Sequence, residues 1–151
     1  MTYNDLLIEA DSNNLITKEK HLSAYDGRIK GNRIAIRKGL LEAQKKCVLA
    51  EEIGHFRTSS GNILDQRNIS DKKQESHARV WAYNKLIGLT GIINSYKHGC
   101  TSLYEIADYL EVTEEFLSEA LQHYKNKYGT HVKIDNYIIL FEPSLGVFEA
   151  I

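Results

Sequence analysis

The chain has 151 residues, of which 42% are hydrophobic and 26% are charged, and this composition is ordinary for a soluble globular protein with a core of its own. The formal net charge of -1 excludes a global field that would draw the protein to nucleic acid or to a membrane surface. The longest apolar run, Tyr137 to Phe141, is far too short to span a bilayer. The N-terminal residues carry acids where a signal peptide has a basic region, and Cys47 and Cys100 suit reduced thiols. We therefore expect a cytoplasmic protein with neither a nucleic acid nor a membrane as its direct partner.

The periodicity of hydrophobic residues predicts an α+β fold. In chain order, the predicted elements are a helix over residues 3–14, strands over about 27–30 and 33–37, helices over 40–56 and 71–88, two short helices within 101–128, and a hairpin over 130–143. Gly31-Asn32 and Asp135-Asn136 are typical of two-residue hairpin turns, and residues 57–62 have the composition of a loop. A hairpin, a helical middle and a terminal hairpin together make an α+β arrangement.

The solvent face of the first predicted hairpin is basic. Its charged residues are Arg28, Lys30, Arg33 and Arg37. A charged face of this kind is more often solvated than bound to a partner, and we interpret it as a solvated edge.

The second predicted helix carries the most informative motif of the chain, CVLAEEIGHF at residues 47–56. Residues three and four apart share one face of a helix, so Glu51, Glu52 and His55 form one stripe on a helix that is otherwise apolar. Because a lone buried charge is very costly, these groups either line a cleft or find a compensating partner. Gly54 in mid-helix costs about 1 kcal/mol relative to alanine, which indicates that another segment packs close to the helix backbone. The alternative is a solvated stripe on an amphipathic helix.

A divalent metal ion would compensate the charges of this stripe. Zinc in catalytic sites takes three protein ligands, among them histidine nitrogen and carboxylate oxygen, and leaves a fourth position open. Glu51 and His55 lie one turn apart, so both are predicted to reach one ion. Glu52 is the predicted general base that acts on water, as in H-E-x-x-H proteases. The third ligand must come from elsewhere in the chain.

A second motif follows the first at a defined separation. The predicted hairpin, the first motif and the second motif form one series: Ile34-x-Ile36, then Leu40, then Leu49-Ala50-Glu51-Glu52-Ile53-Gly54-His55, then Glu75-x-x-Ala78-x-x-Trp81-Ala82. In combination they resemble the ImmA/IrrE family of metallo-endopeptidases, in particular a branch carried by phages and mobile elements of Gram-positive bacteria. The resemblance covers roughly residues 25 to 128.

The resemblance implies a fold, a location and an activity. The fold is zincin-like. We predict a metal-binding domain over residues 1–95 and a helical, helix-turn-helix-like and β-hairpin subdomain over residues 96–151, packed as one unit. The location is the cytoplasm. The activity is cleavage of a transcriptional repressor of a phage or mobile element, which releases lytic or transfer genes.

The resemblance also implies that Glu75 is the third metal ligand. Glu75 lies three and seven residues before Ala78 and Ala82, so it shares the inward face of their helix. The alternative is a surface ion pair with Arg79 at the next turn. His77 points elsewhere on that helix, and we interpret it, like the remaining histidines, as a surface residue.

The residue at position 51 departs from the wider family, most of which has histidine there. With Glu51, His55 and Glu75 as ligands, two carboxylates face one divalent ion, so the metal polarises water less. Such a site binds zinc and also suits manganese or iron(II), and we predict slow turnover. Relatives often have Gly-Asp in place of Gly61-Asn62, and Asp65 is a candidate substitute for that carboxylate.

Residues 101–121 have the pattern of a helix-turn-helix, with Thr113 as the N-cap of the second helix. The segment carries no Lys or Arg, and its acids are Glu105, Asp108, Glu111, Glu114, Glu115 and Glu119. An acidic helix repels DNA phosphates, so we interpret the segment as a packing or docking subdomain. Its charge suits the basic DNA-binding surface of a repressor.

The leading functional hypothesis is a metal-dependent endopeptidase that acts as an anti-repressor on a helix-turn-helix repressor. Its substrate strand is predicted to bind by strand addition along the hairpin edge at Ile34 and Ile36. The alternative is a zincin-shaped protein that sequesters its partner without cutting it. A regulator without proteolysis, of a toxin or DNA-damage type, is a third hypothesis.

Overall fold

The chain divides into two units, Met1–Lys85 and Leu86–Ile151, each with its own internal packing. The computed structural model describes residues 1–59 and 71–150. The division expected at residues 95 and 96 stays a prediction. No helix in the described ranges is both long enough and apolar enough to cross a membrane.

The first unit combines a small sheet with helices. Its elements are α1 (Tyr3–Ser12), β1 (Ile16–Lys20), β2 (Gly27–Lys30), β3 (Arg33–Arg37), α2 (Glu42–Ser59) and α3 (Asp71–Leu86). Thr2 begins α1 with a capping box, because its hydroxyl accepts the Asp5 N–H at 3.1 Å and the Asp5 carboxylate accepts the Thr2 N–H at 2.7 Å. The β2–β3 hairpin has the predicted bounds and turns at Gly31, whose φ is +62°.

The sheet of the first unit has the strand order β1-β3-β2, so β3 is its central strand. It pairs in parallel with β1 and antiparallel with β2. The expectation that Ile34 and Ile36 lie at a free edge is therefore wrong. Their side chains are 2% and 0% exposed, and the backbone of β3 is paired on both sides. The missing information was β1, a polar strand that the hydrophobic pattern did not reveal.

Helix α2 packs on the inner face of this sheet, against β2 and β3. Leu49, Ala50 and Ile53 are at most 1% exposed, and Cys47 is also a buried core residue. The loop predicted over residues 57–62 is wrong for its first three residues, because α2 continues to Ser59. The remainder of that predicted loop lies outside the described residues.

The second unit pairs three helices with a second sheet. Its elements are α4 (Gly88–His98), α5 (Leu103–Leu110), α6 (Glu114–Tyr128), β4 (His131–Ile134), β5 (Tyr137–Leu140) and β6 (Gly146–Glu149). The sheet is antiparallel in the order β4-β5-β6. The predicted N-cap is confirmed, since the Thr113 hydroxyl accepts the Phe116 N–H at 3.1 Å. The predicted hairpin turn is also present, with Asp135 at a φ of +52°.

The predicted α+β class is confirmed, with two differences of detail. Each predicted hairpin belongs to a three-stranded sheet, and β1 and β6 are the strands that the pattern missed. Helix α4 was also missed, because its sequence GLTGIINSYKH contains two glycines besides its apolar residues. Both missed strands are short and largely solvent-facing, so neither shows the alternation on which a strand prediction depends.

Candidate metal centre

Helices α2 and α3 are in close contact where Gly54 faces Ala78. A Cβ atom on Gly54 would lie 2.5 Å from the Ala78 carbonyl oxygen and 3.2 Å from its Cα atom, and Ala78 is fully buried. The two backbones are therefore closer than any side chain at position 54 allows. The close packing expected from the mid-helix glycine is confirmed, and it brings the following residue of α2 near the preceding turn of α3.

This crossing brings two of the predicted ligands together. The His55 Nε2 atom lies 3.2 Å from the Glu75 Oε1 atom, and the side chains are 21% and 54% exposed. Two ligand atoms on one tetrahedral zinc ion lie about 3.3 Å apart, given bonds of about 2.0 Å to each. The observed separation therefore fits either a direct hydrogen bond or a shared ion. In the described part of the chain, Glu75 forms no ion pair with Arg79, which was the alternative.

Glu52, on the same helix as His55, packs against Gly27 of strand β2. It is 9% exposed, and a Cβ atom added to Gly27 would lie 3.2 Å from the Glu52 Oε1 atom and 2.4 Å from Val48 Cγ1. Burial, followed by the negative charges of Glu51 and Glu75, raises the pKa of the Glu52 carboxyl to about 7. Three carboxylates therefore act on one another within one small region of the first unit.

The family model of the peptidase M78 domain, described as an IrrE N-terminal-like domain, matches residues 8–122. The chain belongs to this family. The resemblance to ImmA/IrrE proteins and the zincin-like α+β fold are thereby confirmed, whereas the phage branch stays a prediction. The chain matches no curated protein in sequence.

Membership of the M78 family implies a metallopeptidase-like fold and a metal ion. The donor set suits a divalent cation, because an imidazole lies beside carboxylates whose mutual repulsion a cation would relieve. Within residues 1–59 and 71–150, no three His, Cys, Asp or Glu side chains stand together as a ready metal-binding group. His55 and Glu75 are thus the two donors in contact. Glu51, one turn before His55 on α2, is the predicted third donor.

The other side chains considered as ligands lie away from this pair or outside the description. The exposed or partly exposed histidines are His21, His77, His98, His123 and His131. Their interpretation as surface residues is confirmed, and His98 stacks on Tyr109 with 4.4 Å between ring centroids. Gly61-Asn62 and Asp65 lie outside the described residues.

Sequence reasoning missed the role of Gly27 in this M78 domain. Its backbone forms the wall against which Glu52 and Val48 pack, and no side chain fits there. A glycine inside a strand often marks the close approach of another group. That signal was available in the predicted strand over residues 27–30.

Proposed function

We propose that this M78 domain is a metal-dependent endopeptidase that cleaves a transcriptional repressor of a phage or mobile element in the bacterial cytoplasm. The observation that carries the proposal is the 3.2 Å contact between His55 on α2 and Glu75 on α3. These residues are 20 positions apart in sequence, and both belong to the motifs on which the metal-site hypothesis depends. The packing of Gly54 on Ala78 supports their pairing as a built feature of the fold.

Glu51, His55 and Glu75 would hold the ion, and zinc is the proposed metal, with manganese or iron(II) as alternatives. When bound, such an ion polarises a carbonyl group and lowers the pKa of a water molecule. Glu52 would accept the proton of the attacking water and later return it to the leaving amine. Its burial against Gly27 holds the carboxylate in one place and excludes solvent from one side.

The substrate would pair as an added strand with β2, which is one of the two edge strands of this sheet, and not with the central strand β3. Within the described residues, β2 ends the sheet and its far side carries no other strand. It is also the strand that Glu52 touches, through Gly27. A peptide on this edge would gain main-chain hydrogen bonds and pass beside the proposed base.

The acidic helices of the second unit are the proposed docking surface for the basic DNA-binding part of the repressor. Glu114 and Glu115 are exposed in the first turn of α6. Complementary charge of this kind mainly raises the rate of association and selects the partner.

The test is the substitution Glu52→Gln, which keeps the shape of the side chain and removes its ability to accept a proton from water. We expect it to abolish cleavage of the repressor while metal content and repressor binding stay intact. The matched control is Glu42→Gln on the same helix, whose parent side chain is 78% exposed, and this variant should cleave normally.

The second candidate function is a partner-binding protein that captures the repressor without cutting it. The observation that favours it is that no three potential ligands in the described residues form a ready metal-binding group. The two functions give opposite results in one assay. If Glu52→Gln still relieves repression in cells, capture is the function and the endopeptidase proposal is wrong.

A further inference from the structure

The outer face of the first sheet carries six cations. Pairing registers place alternate residues of the three strands on one face; its charged members are Lys18, Lys20, Arg28, Lys30, Arg33 and Arg37. Of these, Arg37 alone forms an ion pair within the described residues, with Asp26 at 3.0 Å. The nearby acid Glu19 lies on the opposite face, where it pairs with Lys45 at 2.9 Å. This basic face surrounds a shallow depression of about 370 Å³.

The basic face continues to the free edge of β2. The Arg37 N–H donates to the Asp26 carbonyl oxygen at 2.7 Å, and bonded and non-bonded pairs alternate along an antiparallel ladder. Arg28 and Lys30 therefore direct their N–H and C=O groups towards β3. Gly27 and Ile29 direct theirs to the free edge, where an added strand would find them.

A strand added at this edge has two sets of side chains. One set faces α2 and Glu52, and the other lies on the basic face, directly opposite Arg28 and Lys30. Residues directly opposite each other on adjacent strands have Cβ atoms about 4.5–5.5 Å apart, and opposite charges there are favourable. An added strand is therefore placed where acidic side chains would meet two cations that have no ion-pair partner in the described part of the chain.

We propose that the segment that binds along β2 is an extended peptide with acidic side chains at two alternate positions, which pair with Arg28 and Lys30. This inference rests on the proposed function only in placing a peptide on the β2 edge. A peptide is favoured over single-stranded nucleic acid because the described strands that form the basic face carry no aromatic side chain on which bases would stack. The free N–H and C=O groups of Gly27 and Ile29 also suit a polypeptide.

The experiment compares three fluorescent eight-residue peptides that differ at two alternate positions, with Asp-x-Asp, Asn-x-Asn or Lys-x-Lys. Binding to the full chain is measured by fluorescence anisotropy at 0.15 M salt, and cleavage is measured by mass spectrometry. We expect the Asp-x-Asp peptide to bind about tenfold more tightly than the Asn-x-Asn peptide, given two opposite-charge pairs. The amide signals of Gly27 and Ile29 should shift on binding.

Two double variants locate the effect. Arg28→Glu with Lys30→Glu should reverse the order of affinity, so that the Lys-x-Lys peptide binds best. Lys18→Glu with Lys20→Glu is the matched control, because it makes the same change of charge on the same face. Its strand lies about 14 Å from an added strand, which is beyond the Debye length at this salt concentration, so the preference for Asp-x-Asp should remain.

Several results would overturn the inference: equal affinity for Asp-x-Asp and Asn-x-Asn, a preference that survives Arg28→Glu with Lys30→Glu, no binding of any of the peptides, or equal competition by duplex DNA. The last result would make the face a general polyanion site. The two proposals also fail separately. Acid-selective binding by a chain that leaves the repressor uncut supports this inference and contradicts the endopeptidase, whereas repressor cleavage without acid-selective peptide binding does the reverse.

Discussion

Replacing Gly54 by alanine tests whether the crossing of α2 and α3 builds the site. The new Cβ atom would lie 2.5 Å from the Ala78 carbonyl oxygen, whereas ordinary contacts begin at 3.4 Å. The helices must therefore part by about 0.9 Å, or their backbones must deform by an equivalent amount. Overpacking of this kind costs about 1–3 kcal/mol, and the gain in helix propensity is about 1 kcal/mol. We expect Gly54→Ala to lower the free energy of unfolding by up to about 2 kcal/mol.

Gly91 provides the matched control. It also lies inside a helix, α4, but its added Cβ atom would lie 3.5 Å from the Leu110 side chain, an ordinary contact. Gly91→Ala should therefore benefit from the higher helix propensity of alanine and raise the free energy of unfolding by up to about 1 kcal/mol. Since both variants gain the same propensity, the difference between them isolates the cost of the clash, about 1–3 kcal/mol.

Urea unfolding followed by far-UV circular dichroism measures this difference for both variants, and Trp81 fluorescence is the local probe of Gly54→Ala. Trp81 is the single tryptophan of the chain and lies in α3, so it reports on the crossing itself. Zinc affinity, measured by competition with a chelator, should also fall about 10- to 100-fold in Gly54→Ala, because His55 and Glu75 are pushed apart. Equal stability of the two alanine variants would refute the reasoning about the crossing.

Three further predictions concern other parts of the chain. Gly27→Ala would place a Cβ atom 2.4 Å from Val48 Cγ1. We expect this substitution to displace Glu52, to lower the free energy of unfolding by about 1–3 kcal/mol and to lower kcat/KM for repressor cleavage at least about tenfold. Unchanged kinetics would contradict this prediction. Burial raises the pKa of Tyr124 to about 12 from 10.0. The neutral form of Tyr124 therefore stabilises the fold below pH 10, and about 2–3 kcal/mol of the free energy of unfolding is lost as the pH rises towards 12. Urea unfolding of the parent and of Tyr124→Phe at pH 8 to 11.5 should show a smaller loss of stability in the variant. Substitution of Glu114, Glu115 and Glu119 by lysine should weaken repressor binding in a salt-dependent way. Unchanged association rates would contradict the proposed docking surface.

Local signals in the sequence predicted most of the helices and both hairpins. The sequence signals for the turn at Gly31-Asn32, the cap at Thr113 and the apolar positions of α2 each come from residues a few positions apart, so a pattern of hydrophobic and turn residues reveals them. The close contact at Gly54 was also predictable, since an interior glycine has a cost that packing must offset.

The arrangement of strands was not predictable in the same way. Strand β1 is polar, and its place beside β3 depends on pairing between residues that are far apart in sequence, so nothing local showed that β3 is central. In the candidate site, the pairing of His55 with Glu75 followed from a family resemblance and not from spacing. The wall formed by Gly27 was missed because it depends on how β2 lies against α2.

The division of charge between the two units has a practical consequence for purification and storage. Met1–Lys85 carries 15 Lys and Arg against 11 Asp and Glu, whereas Leu86–Ile151 carries 4 against 9. A nearly neutral molecule whose charge is distributed so unevenly between its two units should bind to both cation- and anion-exchange resins. Concentrated solutions at low ionic strength should become viscous or turbid through attraction between the basic unit of one molecule and the acidic unit of another, and added salt should clear them.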